Sequence, residues 1–181
     1  MLKGKRIFLR PFTNEDLPLV EWLGTHKLYH ETAGFAEIHN DRMAQQVLAA
    51  YMRRANNYVI CDLETDDALG FVELNERGVD QRSHLDQTRE VGFVLKEEFW
   101  GNGYMTEALN LLFNYAFVQL KISVIWAGHY ENNRHSERLL RKLGFEFKYE
   151  VQLPFAFIEQ KTQKYYLLTA SNWQRFRDIS Y

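Results

Sequence analysis

The segment from Arg89 to Ala127 constrains the fold most. An alternating run, REVGFVL (Arg89–Leu95), leads through FWGNGY into a long amphipathic stretch, Met105 to Leu120. There Met105, Ala108, Leu109, Leu112, Phe113, Ala116, Phe117 and Leu120 fall on one helical stripe. A second apolar run, Ile122–Ala127, follows at once. A strand, a helix and a strand joined this closely make a βαβ unit, and such a crossover sets its two strands parallel. Gly92, inside the first strand, marks a bulge or a close backbone approach.

The flanking sequence adds hairpins and helices. RIFLRPF (Arg6–Phe12) alternates as a strand, with Ile7 and Leu9 on one face. Asp16 reads as an N-cap, Pro18 fits a first turn, and Leu19, Val20 and Leu23 continue the helix to a stop at Gly24. Asp41–Ala55 is a second helix. Tyr58–Leu63 and Ala68–Leu74 are strands around the polar turn Glu64–Asp67. Asn75–Gln87 is a loop, Asn132–Leu143 a short helix ended by Gly144, and Phe145–Thr169 two strands around Glu159–Lys164. No repeat or linker divides the chain, so the expectation is one domain, 1–181, of mixed α/β class.

Composition narrows the partners. The formal net charge of -2 argues against nucleic acid. The single cysteine, Cys61, excludes an intrachain disulfide and, inside YVICDL, reads as a buried thiol. The unbroken apolar run Val47–Met52 is far short of the ~20 residues of a membrane span, and the amino terminus lacks an apolar signal core. The expectation is a cytoplasmic protein without a membrane partner. His26 and His30 have i, i+4 spacing but lack the Glu of HExxH, and no cysteine or carboxylate set surrounds His129 and His135. No metal site is expected.

The turn itself has two readings. Gly101 and Gly103 remove side chains just before a helix start, where unpaired N–H groups and the positive dipole end make a phosphate cradle. Two glycines also suit a tight turn with no ligand. The stretch is not GxGxxG, since Thr106 stands where the last glycine belongs, and no Gly-Lys-Ser/Thr follows to make a P-loop.

A second motif decides how the first is read. After the next strand comes ENNRHSERLLRKLGF, Glu131–Phe145. WGNGYMTEAL, then helix, strand and N-x-x-S-x-x-L-L-x-K-L-G-F, resembles the GNAT superfamily of acyl-CoA-dependent N-acyltransferases. Within it the chain is most similar to the RimJ/RimL type, whose opening strand and helix RIFLRPFTNEDL also resembles. The resemblance implies a mostly antiparallel mixed sheet with a central parallel pair, helices on both faces, and acetyl-CoA as cosubstrate without a metal. It implies that the amides of Gly101, Asn102, Gly103, Tyr104, Met105 and Thr106 contact the CoA diphosphate. Trp100 takes the place of the family's Arg/Gln, and Met105 that of a Gly/Ala. The pantetheine arm would bond main-chain groups of Phe93, Val94 and Leu95, as an added strand does. Asn133 matches an asparagine facing that arm, although an Asn before a helix is also an ordinary N-cap. Lys142 is a weaker candidate for the 3′-phosphate.

Amine acylation needs a neutral amine, a proton acceptor, and stabilisation of the oxyanion by a strand N–H. Glu90 is the first candidate base, with an ordinary ion-paired strand glutamate as the competing reading; Glu73 is the reserve. The tyrosine that many GNAT enzymes use as acid is replaced here by Leu140, which leaves Ser136 as candidate acid, with Tyr130 and Tyr104 behind it. The implied activity is acetyl transfer to a primary amine, a protein N-terminal α-amine first. A small-molecule amine (an aminoglycoside or polyamine) and a non-catalytic acyl-CoA sensor remain the alternatives. Asp41–Ala55, Asn75–Gln87 and Glu159–Lys164 would shape the acceptor groove. A homodimer through Phe145–Thr169 is one arrangement open to the chain.

Overall fold

The computed structural model describes residues 1–77, 87–153 and 161–177. Its strands form one sheet in the spatial order β1 (Leu2–Lys3), β2 (Ile7–Pro11), β3 (Asn57–Asp62), β4 (Ala68–Glu76), β5 (Thr88–Leu95), β6 (Val124–Tyr130), β8 (Lys161–Thr169) and β7 (Glu146–Leu153), antiparallel except for the pair β5/β6. This is the mixed α/β architecture the sequence implied. The parallel ladder joins Thr88–Val91 to Val124–Ala127. Most of the expected loop Asn75–Gln87 (78–86) and the first part of Glu159–Lys164 lie outside the described residues. From Lys161 on, the chain is already strand.

The described residues group into two compact units. The first comprises Met1–Leu74 and Phe93–Leu112. It holds β1 (Leu2–Lys3), β2 (Ile7–Pro11), α1 (Leu17–Thr25), α2 (Lys27–Ala33), α3 (Asp41–Arg53) and β3 (Asn57–Asp62). It also holds most of β4 (Ala68–Glu76), the end of β5 (Thr88–Leu95) and the start of α4 (Tyr104–Asn114). Alternation works as expected in β2: Ile7 and Leu9 are fully buried while Phe8 and Arg10 are not. Leu19, Val20, Leu23, Leu48 and Phe71 close one core against Val59 and Cys61. Each buried aliphatic or aromatic side chain there contributes ~1.5–3 kcal/mol.

One local reading is corrected here, one is refined and one helix is added. Asp16 sits at the N-cap of α1, but its carboxylate turns back to the Arg10 guanidinium (2.8 Å to each oxygen) and the Thr13 N–H (2.7 Å). Gly24 does not stop α1, which runs on to Thr25. It is there because a Cβ would fall 2.4 Å from Ile38. The stretch after it forms α2, ended by Gly34 in the left-handed region (φ 65°).

The second unit comprises the described residues of Asn75–Gly92 and Phe113–Tyr181. It contains β6 (Val124–Tyr130), α5 (Arg134–Lys142), β7 (Glu146–Leu153) and β8 (Lys161–Thr169). A last helix that the sequence did not announce, α6 (Ala170–Arg177), is anchored by buried Trp173. Before β6, the expected single helix Met105–Leu120 gives way at Tyr115–Gln119 to a wider π-helical turn, closed by Leu120 N–H on Tyr115 C=O (3.1 Å). Gly144 (φ 89°) ends α5 as expected: its N–H reaches Arg141 C=O and that of Phe145 reaches Leu140 C=O, the Schellman pattern. The edge strand β7 exposes Phe147, Tyr149 and Val151. Among the described residues no helix is long and apolar enough to cross a membrane.

Candidate functional site

In the first unit the glycine turn is a built structure. Gly101 (φ 77°) and Gly103 (φ 81°) are both left-handed, a conformation that favours glycine. A Cβ on Gly101 would meet nothing within 4 Å, so the turn's outer side is open. Gly103 C=O accepts the Glu107 N–H (3.0 Å), so the N–H groups of Tyr104, Met105 and Thr106 precede any intrahelical carbonyl. Gly101 and Asn102 are exposed. Met105, large for its place in the family pattern, buries its side chain and leaves the turn only its main chain.

The turn is braced from the chain's beginning, a feature with no local signal in the sequence. Arg6 donates from Nη1 to Asn102 C=O (2.9 Å) and from Nε to Glu107 Oε2 (3.0 Å), and its guanidinium lies 4.5 Å over the Tyr104 ring. Glu107 Oε1 also accepts the N–H groups of Lys5 (2.7 Å) and Arg6 (2.9 Å). Gly4 makes this approach possible, since a Cβ there would lie 2.5 Å from Glu107 Oε1. Burial pushes the Glu107 carboxyl up, but the hydrogen bonds from Arg6 and Lys5 outweigh it and hold the group below its ordinary value.

Upstream of the turn, Leu95 C=O already accepts two donors, Trp100 Nε1 (2.8 Å) and Tyr29 Oη (3.3 Å). Trp100 therefore uses its indole N–H to fix the turn's entry. Tyr29 Oη accepts the Glu97 N–H (2.9 Å), and burial pushes its phenol up to about 12. Of Phe93, Val94 and Leu95, the first two keep main-chain groups that these donors do not use. Gly70 on β4 admits this segment: a Cβ would fall 2.2 Å from Val94 C=O. Glu73, the reserve base, has Oε2 3.6 Å from Arg54 Nη1. Cys61 is buried, and burial pushes its thiol up to about 11, which leaves little thiolate for nucleophilic work.

In the second unit, Glu90 Oε2 accepts from Arg77 Nη1 at 2.7 Å. The structure thus pairs Glu90 with Arg77, the arrangement that the competing reading of it as an ion-paired strand glutamate describes. Arg77 Nη2 donates to Tyr149 Oη (2.5 Å), and the guanidinium lies 4.5 Å from the Trp126 ring and 4.9 Å from that of Tyr165. Asn133 is the N-cap of α5: its Oδ1 accepts the Ser136 N–H (3.0 Å). Ser136 is half-buried one turn into the helix. Leu140, in the family's tyrosine place, is fully buried. On β6, His129 is buried with Nδ1 on Tyr130 C=O (2.8 Å). Burial holds its ring below the ordinary imidazole value. In the first unit, His26 and His30 contact the carbonyls of Trp22 and Phe35 through Nδ1. Glu90 and Ser136 fall in the second unit with Asn133, whereas residues 93–106 fall in the first.

Residues 6–146 match the family model described as Acetyltransferase (GNAT) domain. The protein named "Probable N-acetyltransferase YjcK" of Bacillus subtilis (strain 168) is 32% identical over 161 residues, covering 80% of this chain and 83% of that one. Among solved structures, a GNAT-family acetyltransferase from Bacillus anthracis superposes with a TM-score of 0.80 at 18% identity, covering 93% of this chain and 97% of that one. The spermidine N-acetyltransferase from Vibrio cholerae, in complex with CoA and spermine, gives 0.78 at 16% identity and covers 93% and 98%. The family match spans the strand, the glycine turn and the Asn133 helix together, so the chain belongs to the GNAT acetyltransferases and is an N-acetyltransferase.

Proposed function

We propose that this enzyme transfers the acetyl group of acetyl-CoA directly to a protein N-terminal α-amine, as an enzyme of the RimJ/RimL type. One observation carries the cosubstrate half of this reading: an open, left-handed glycine turn that runs into unpaired helix N–H groups and is tied down by Arg6 and Glu107. A diphosphate satisfies those N–H groups and the helix dipole at once. The amides from Gly101 to Thr106 are assigned to it, and the main chain of Phe93 and Val94 to the pantetheine arm.

The acceptor half follows from proton supply. Glu90 and Glu73 each face a guanidinium, at 2.7 Å and 3.6 Å. A carboxylate that must first exchange a guanidinium for the acceptor is best served by an ammonium that gives up its proton readily. An amine that is already partly neutral suits such a site. Near pH 7.5 roughly a third of an α-amine is neutral, against about one in a thousand for a lysine amine. In the reaction the amine nitrogen attacks the thioester carbon, a strand N–H stabilises the oxyanion, and the sulfur leaves as the carbon–sulfur bond breaks. Glu90 is assigned the amine's proton once Arg77 moves off it, and Ser136, the candidate acid, is assigned the hydrogen bond that its hydroxyl donates to the sulfur as this departs as a thiolate.

Calorimetric titration of acetyl-CoA into wild type and Gly103→Glu tests the first half. Binding lost in the variant, with its circular dichroism unchanged, is the expected result; no binding to wild type sinks the assignment. Acetylation of peptides with free α-amines is then compared with α-blocked lysine peptides and spermidine. Faster turnover of either of the latter overturns the acceptor assignment.

A further inference from the structure

The surroundings of Arg77 have the composition of a cation receptor. The guanidinium is flanked by the Trp126 and Tyr165 rings, at 4.5 and 4.9 Å, inside the roughly 6 Å reach of a cation–π contact. Tyr149 stacks on Tyr165 with centroids 5.0 Å apart and stands 5.8 Å from Trp126, so three rings form one wall. Glu90 supplies the negative charge at 2.7 Å. Sheet register builds the set. Glu90 lies opposite Trp126 in the parallel ladder, and Tyr165 lies opposite Gly128. A Cβ at Gly128 would lie 3.0 Å from the Tyr165 ring, so this glycine makes room for the ring to lie as it does.

The site is reachable. Arg77 and Glu90 keep 26% and 33% of their side-chain surface exposed, which is more than a core ion pair retains. An aromatic wall with one carboxylate, at a half-exposed position, is the arrangement that holds an organic ammonium. Here the cation filling it belongs to the chain itself.

We propose that Glu90, Trp126, Tyr149 and Tyr165 form the docking site for the acceptor's alkylammonium group, and that Arg77 is a tethered competitor that must leave for the acceptor to enter. The assignment of the ligand as the acceptor rests on the acetyl-transfer reading; the cage and its plug do not. Exchange of Arg77 for the acceptor also places the arriving nitrogen at the carboxylate assigned to take its proton. A tethered group that fills a site nine-tenths of the time lowers apparent affinity about ten-fold.

n-Butylammonium, a simple primary alkylammonium, is the probe, titrated by calorimetry into the full chain. Arg77→Ala is expected to bind it about ten-fold more tightly than wild type. Arg77→Gln, which keeps more of the side chain's packing, is expected to gain in the same direction and carries the test if Arg77→Ala does not fold. Arg77→Ala combined with Trp126→Leu is expected to lose the gain. Arg89→Ala removes the same charge from β5, directly beside Glu90, and controls for general electrostatics, with binding expected to match wild type. Equal tightening in Arg89→Ala and Arg77→Ala, or no tightening in either Arg77 variant, overturns the proposal. Acetyl-CoA titration of the same variants keeps the two readings apart, because it reports on the glycine turn and the strand before it and not on the aromatic cage.

Discussion

Replacing Glu107 with glutamine tests whether the glycine turn depends on its brace. The amide oxygen can still accept the N–H groups of Lys5 and Arg6, which lie 2.7 and 2.9 Å from Oε1. The new NH₂ then faces Arg6 Nε, donor against donor, where the carboxylate accepted at 3.0 Å. A hydrogen bond to a charged group is worth ~1.5–3 kcal/mol. Arg6 keeps 47% of its side-chain surface exposed, so solvent screening discounts that figure. Loss of a negative charge near the start of α4 adds ~0.3–1 kcal/mol. Together the expected loss is about 1–2 kcal/mol at pH 7, or roughly 3–6 °C in Tm for a chain of this size. The pH dependence has a definite sign. The folded carboxyl is held below its ordinary value, so its contribution is present above the unfolded value of ~4.3 and is lost as pH falls through the folded one. Urea unfolding of both proteins, at pH 7 and stepwise into acid, reads the gap directly. A gap below ~0.5 kcal/mol at pH 7, or one that persists unchanged in acid, refutes the brace.

Two further outcomes follow from the first unit. Asp16→Ala leaves the Arg10 guanidinium, 23% exposed, without its two-oxygen partner and strips the Thr13 N–H of its acceptor. The expected cost is about 2–4 kcal/mol, below the full range for a buried pair because Arg10 keeps some water, and urea unfolding that shows less than about 1 kcal/mol contradicts it. Cys61, buried and with its thiol pushed up to about 11, carries thiolate in about one molecule per thousand at pH 8. Its reaction with an aromatic disulfide reagent is expected only at the rate of unfolding, and prompt labelling of the native enzyme counts against this burial.

Local signals carried much of the fold. Two-residue alternation placed Ile7 and Leu9 inside, and the strand–helix–strand spacing gave the parallel pair β5/β6. Gly144 was readable because a helix end needs a left-handed residue whatever lies around it. Gly24 was misread because its reason is Ile38, a contact that no local pattern announces. Helices α2 and α6 are short and depend on single anchors, Tyr29 and Trp173, rather than on a long apolar stripe. Asp16 had the right residue type for an N-cap, but the Arg10 guanidinium six residues upstream draws its carboxylate away from the helix.

The candidate site divides along the same line. The glycine turn was legible because φ and helix-end chemistry are local properties. Its brace was not, since Arg6 and Glu107 are 101 residues apart in sequence. Glu90 was visible as a carboxylate, but its state depends on Arg77, Trp126, Tyr149 and Tyr165, which only strand register brings together. A one-residue shift of β6 would send Trp126 to the other face and take one of the two rings from Arg77. The partner that decides what Glu90 can do is therefore written in the pairing of strands and not in the motif around Glu90.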